Sequence, residues 1–187
     1  DGVTIKNNLE QVYNRITTAA QSVGRKPTDV QLIVVSKGQP SAVIQEAINA
    51  GVRVFGENYP EETIGKLPGL TYKEKIEWHM IGHLQSRKAK IVGENFNMLH
   101  SLDRIDLAIK LNRIMIGLNQ IMPCLIEVNV SGEESKYGFA ANDTSLWPAL
   151  TQEMLQLMSL NNLQVRGLMC MPPLYDDPEG VRPYFVK

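Results

Sequence analysis

Four consecutive apolar residues, Leu32-Ile33-Val34-Val35, run into Ser36 and Lys37 just ahead of Pro40. A run with no polar face reads as a strand buried on both sides, as strands are in a parallel sheet covered by helices. Lys37 then stands at the strand's carboxyl end. In an α/β barrel that end faces the active site, where a partly desolvated lysine can lose its proton and form a Schiff base with an aldehyde. A lysine closing a strand is also what a solvated cap looks like, so the position alone leaves both readings open.

The rest of the chain repeats the same grammar. Ile5, Leu9, Val12, Ile16, Ala19, Ala20 and Val23 share one helical face, and Gly24 follows as a left-handed stop. Pro40 opens a helix carrying Ile44, Ala47 and Ile48 that Gly51 closes, and Val52 to Phe55 resume a strand. Further strands are predicted near 76–81, 98–100, 125–130 and 165–169. A helix from about Ser86, one opened by Asp103 as N-cap, one through Leu150, Met154, Leu157 and Met158, and one begun by Asp177 and Pro178 complete the pattern. Six strands alternate with helices.

Strict β/α alternation without a Gly-x-Gly-x-x-Gly turn favours a (β/α)8 barrel of the TIM type over a dinucleotide-binding sheet. Six strands do not close such a barrel, so the alternatives are an open, doubly wound sheet or a barrel whose last two β/α units lie outside the chain. At 187 residues with a net charge of −1, one domain over 1–187 is expected, and nothing in the charge points to nucleic acid. No apolar stretch approaches the roughly eighteen residues that cross a bilayer, and the amino-terminal segment is polar, so a cytoplasmic protein is expected. Cys124 and Cys170 lie in apolar, strand-like surroundings that suit small buried hydrophobes better than a disulfide framework.

Six motifs fall at the strand ends in a fixed order. They are Val35-Ser36-Lys37, Phe55-Gly56-Glu57-Asn58-Tyr59, the stretch from Trp78 to Gln85, His100-Ser101-Leu102-Asp103-Arg104, the stretch from Val128 to Gly138, and Arg166-Gly167-Leu168-Met169. Together they closely resemble the pyridoxal phosphate homeostasis protein family. The resemblance implies a barrel like the amino-terminal domain of alanine racemase, with pyridoxal 5′-phosphate (PLP) at the carboxyl ends of the strands. By position, Lys37 matches the lysine that carries the cofactor as a Schiff base, and Asn58 matches a residue beside the cofactor ring. It implies a protein of vitamin B6 balance that holds or delivers the aldehyde without substrate turnover; PLP-dependent client enzymes are the expected partners, and a monomer is the expected state.

The chemistry of the residues agrees with a carrier. A lone Schiff-base lysine sequesters an aldehyde reversibly, whereas racemisation needs a second acid or base on the opposite face of the substrate carbon. Tyr59 and Tyr137 read as packing or rim residues, which leaves a weak fold-type III amino-acid racemase as the alternative function. Family members usually continue past the position of Lys187 with the last two strands and the phosphate cradle, so the chain is expected to be incomplete at its carboxyl end. Gly38 and Arg87 stand where the family commonly has Thr and Asn. His79 and His83, four apart without a metalloprotease Glu, straddle a strand end, and His83 reads as a rim residue. Ser101 and Met171 are candidates for the same mouth, and Lys136 is a solvated loop lysine or a second amine.

Overall fold

A computed structural model describes residues 4–187. The chain divides into two compact units, one up to Trp78 and one from His79. In the first, α1 (Ile5–Ser22) opens with Thr4, whose hydroxyl accepts from the Asn7 N–H at 3.2 Å. Gly24 follows the helix at a φ of +72°, as its composition predicts. The apolar stripe of α1 is less covered than its periodicity suggests. Only Ala20 is buried and Val12 is exposed, because a repeat specifies which residues share a face but not what packs on it.

The run from Leu32 supplies a shorter strand than expected, β1 (Val34–Val35), with Val35 about half exposed. β1 lies at the end of the strand order and, among the described residues, pairs with β2 (Val54–Glu57), in parallel. Between them α2 (Ser41–Asn49) buries Ile44, Ala47 and Ile48, with Pro40 as its N-cap. An additional helix, α3 (Pro60–Lys66), follows β2 where sequence periodicity shows none. Ile64 is its one large aliphatic side chain, too little to mark a face. Its sequence nonetheless suits a helix, with Pro60 at the start, Glu61 and Glu62 in the first turn and Lys66 in the last. β3 (Glu77–Met80) begins here: the Glu77 N–H donates to the Arg53 carbonyl at 2.8 Å, and Trp78 stacks on Phe55 with ring centroids 5.2 Å apart.

In the second unit His79 and Met80 of β3 pair with Met98 and Leu99 of β4 (Met98–Leu102), and β4 pairs with β5 (Met122–Asn129). β5 also pairs with β7 (Leu163–Met169) and, at its carboxyl end, with the short β6 (Phe139–Ala140). All these pairings are parallel, so the helices α4 (Ala89–Asn95), α5 (Ile105–Leu118) and α6 (Trp147–Met158) serve as crossovers, and α7 (Arg182–Val186) follows β7. Leu99, Leu102, Met122 and Ile126 of β4 and β5, and Leu107, Leu111 and Met115 of α5, are all closed to solvent. The six expected strands all form, and β6 is an addition too short to read from alternation. Among the described residues no helix is long and apolar enough to cross a membrane.

Candidate functional site

β1 and β2 run parallel in the register Val34 to Phe55 and Val35 to Gly56, and the Ser36 N–H extends the ladder to the Gly56 carbonyl at 3.1 Å. Ser36 therefore comes abreast of Glu57, and its hydroxyl donates to Glu57 Oε1 at 2.6 Å. Lys37 and Asn58 are the next residues along, so both stand at the carboxyl ends of neighbouring strands. Asn58 is half-buried. Lys37 is exposed, in a turn just past the end of β1, which differs from the partial desolvation expected of a reactive amine.

Under that turn lies a polar network that the sequence reading missed. Lys66, on the last turn of α3, places its ammonium 3.1 Å from the Ser36 carbonyl, 3.2 Å from Glu57 Oε1 and 2.6 Å from Glu62 Oε1. Glu62 in turn accepts from the Gly38 N–H at 2.9 Å, and this bond together with the ion pair holds its carboxyl below the usual range, the Lys66 hydrogen bond being the larger cause. Glu57 is fully buried, and its second oxygen, Oε2, has no hydrogen-bond partner among the described residues. The available signal was the Glu62 to Lys66 spacing of four, which puts opposite charges on one helical face. Gly38 takes a φ of +71°, a left-handed turn for which glycine is the natural residue.

A second polar cluster gathers at strand ends in the unit from His79. Asp103 is predicted as the N-cap of α5, but the N-cap is Arg104. The Asp103 carboxylate instead takes the His83 Nδ1–H at 2.9 Å and the Arg104 Nη1–H at 2.6 Å, two charge-assisted bonds that outcompete a single capping amide. Arg104 is itself fixed by the Leu84 carbonyl and the Ser86 hydroxyl, both at 2.9 Å. The His83 ring stacks on Tyr137 at 3.8 Å, which gives that exposed tyrosine a packing role. Glu127, almost wholly buried on β5, is pushed up to about 7, by burial first and by the Asp103 charge second. His79 and His83 part company: His79 points its Nδ1 at the His100 Nε2, 3.0 Å away. Burial and the neighbouring His79 lower His100 to about 4. Ser101 is buried, donating to the Gly82 carbonyl at 2.6 Å, whereas Met171 is exposed. Among the described residues no group of three or more His, Cys, Asp or Glu side chains is arranged to hold a metal ion. Burial raises Cys124 to about 12, as befits a small hydrophobe.

A parallel α/β fold of alternating strands and helices defines a class, and solved structures share it. An alanine racemase of Clostridium difficile, solved with cycloserine, superimposes with a TM-score of 0.66 over 93% of this chain and 46% of its own, at 14% identity, a likeness of fold alone. PipY of Synechococcus elongatus, solved with PLP bound, is 36% identical, with a TM-score of 0.74 over 91% of this chain and 76% of that one. The chain is 44% identical over 170 residues to the pyridoxal phosphate homeostasis protein of Pseudomonas aeruginosa, covering 90% of this chain and 70% of that protein. It is 39% identical over 173 residues to the protein of the same name from Escherichia coli, with coverages of 90% and 70%. No family model matches the chain. On these identities and coverages it belongs to the pyridoxal phosphate homeostasis protein family.

Proposed function

We propose that this protein binds PLP as a covalent adduct of Lys37, with Asn58 beside the ring, and that it serves vitamin B6 homeostasis by holding and releasing the aldehyde. One observation carries the reading: an exposed primary amine ends β1 directly beside the end of β2, which is where a family member's lysine would have to stand. The neighbouring residues fit such a ligand. The turn is open enough to admit a small aldehyde, and the half-buried amide of Asn58 offers both a donor and an acceptor next to it. Membership of the family and the PLP-bound PipY structure support the choice of aldehyde.

The same proposal takes residues 1–187 as one PLP-binding domain and the protein as a cytoplasmic monomer that passes cofactor to PLP-dependent enzymes without turning over a substrate. Its test is spectroscopic. PLP mixed with the protein gives a visible band that borohydride bleaches while fixing the cofactor to Lys37, and Lys37→Ala gives neither; a band of equal size in the variant overturns the assignment. The non-enzymatic part is tested separately with saturating amino acids in heavy water. Exchange of the α-proton that depends on Lys37 would show a racemase-like activity instead.

A further inference from the structure

Both backbone neighbours of Lys37 are tied to one buried ammonium. On one side the Ser36 carbonyl accepts from Lys66 Nζ at 3.1 Å, and the Ser36 hydroxyl bonds the same Glu57 oxygen that Lys66 contacts at 3.2 Å. On the other side the Gly38 N–H donates to Glu62 Oε1 at 2.9 Å, and that oxygen lies 2.6 Å from Lys66 Nζ. Three oxygens use the three donors of the ammonium, so Lys66 has none left for a ligand. Of the two lysines at this strand end, one is open to solvent and the other is 8% exposed and fully engaged.

Packing alone does not account for this arrangement. Burying charges costs more in lost hydration than a well-fitted apolar contact, and Glu57 Oε2 is left buried with no partner among the described residues as well. What apolar contacts cannot do is point. Gly38 has no Cβ, sits at a φ of +71° and meets nothing within 4 Å of the place a Cβ would occupy, so sterics do not define the turn. Directed hydrogen bonds do.

We infer that Lys66 is the positioning residue of the Lys37 turn, holding Ser36 directly and Gly38 through Glu62 so that the Lys37 amine is presented to the aldehyde in one orientation. This rests on the reading of Lys37 as the PLP-binding amine. In that step the neutral Lys37 nitrogen bonds the aldehyde carbon as the C–O bond breaks, and the oxygen leaves as water with both amine protons. Lys66 takes no part in the bond changes. It acts on their rate and on the fixed orientation of the product.

The experiment compares wild type, Lys66→Met, Lys66→Arg and Glu62→Ala for the rate of borohydride-trappable PLP capture and for the circular dichroism of the visible band. Peptide mapping locates the adduct. With Lys66→Met folded, capture on Lys37 slows about tenfold and the visible dichroism falls, the size expected of a misplaced reacting group. Lys66→Arg recovers part of both, since its guanidinium can still reach the carboxylates. Wild-type rate and dichroism in Lys66→Met overturn the inference. If Lys66→Met does not fold, Glu62→Ala decides by the same two readings, because half-exposed Glu62 ties Gly38 without carrying the core and alanine leaves no acceptor there. A wild-type protein that captures no PLP on Lys37 refutes the reading of Lys37 itself, and the inference falls with it.

Discussion

Gly38 and Gly138 both hold a positive φ, +71° and +110°, yet their neighbourhoods set very different demands. A Cβ on Gly38 meets nothing within 4 Å, so Gly38→Ala carries only the backbone cost of a left-handed residue, about 1–2 kcal/mol. A Cβ on Gly138 falls 2.8 Å from the Glu127 carbonyl oxygen, against backbone that the β5–β6 pairing holds in place. Gly138→Ala is therefore expected to cost about 3 kcal/mol or more, strain and clash together. Urea unfolding of the two variants checks the ranking, and equal losses would refute it. Neither requirement can be read from the sequence, where both are simply glycines in polar stretches. The strand-end positions of Lys37 and Asn58 were legible because such a position is fixed by the apolar run before it. Lys66 was not, because the contacts that give it meaning come from residues as many as thirty positions away.

Among the elements, β5 carries a buried group, Glu127, and β4 a half-buried one, His100, whose shifts act on stability in opposite directions. Glu127, raised from 4.5 to about 7, keeps its proton in the folded chain where the unfolded chain has released it. Its contribution is present below about 4.5 and is lost as pH rises to about 7. His100, lowered from 6.5 to about 4, stays neutral in the folded chain where the unfolded chain takes up a proton. Its contribution is present above about 6.5 and is lost as pH falls to about 4. Each is worth on the order of 3 kcal/mol at most. The two slopes oppose one another between about pH 4.5 and 6.5, so the variants unmask them. Relative to wild type, Glu127→Gln gains stability as pH rises through that window, and His100→Gln gains as pH falls, both read from urea midpoints at pH 4.5, 5.5, 6.5 and 8. Parallel curves for wild type and Glu127→Gln would show that the carboxyl titrates normally. The same scale governs α3, where Lys66→Met strands the buried Glu57 carboxylate and costs about 3–5 kcal/mol. Adding Glu57→Gln to it should restore stability, since the pair is removed together; a double variant no more stable than Lys66→Met would show that the two are not coupled.

For the molecule as a whole, the alternation of apolar runs and amphipathic stretches made the parallel α/β class legible, since period and run length follow from backbone geometry alone. α3 escaped because Ile64 is its one large aliphatic side chain, too little to mark a face, and β6 because two residues show no alternation. The exposure of Val35 and of the α1 stripe escaped for another reason: burial depends on which surfaces meet, and no single segment states it. Binding of PLP should register across the fold by linkage. A ligand held only by the folded state at a hundred times its Kd stabilises by about 2.7 kcal/mol. For a chain of this length each kcal/mol raises Tm by about 2–4 °C, so PLP is expected to raise it by about 5–10 °C. If the covalent bond to Lys37 holds the ligand, pyridoxamine 5′-phosphate, which has no aldehyde, raises Tm far less, and Lys37→Ala loses most of the PLP effect. An equal rise with both ligands in wild type and variant would place the binding energy elsewhere and remove Lys37 from the account.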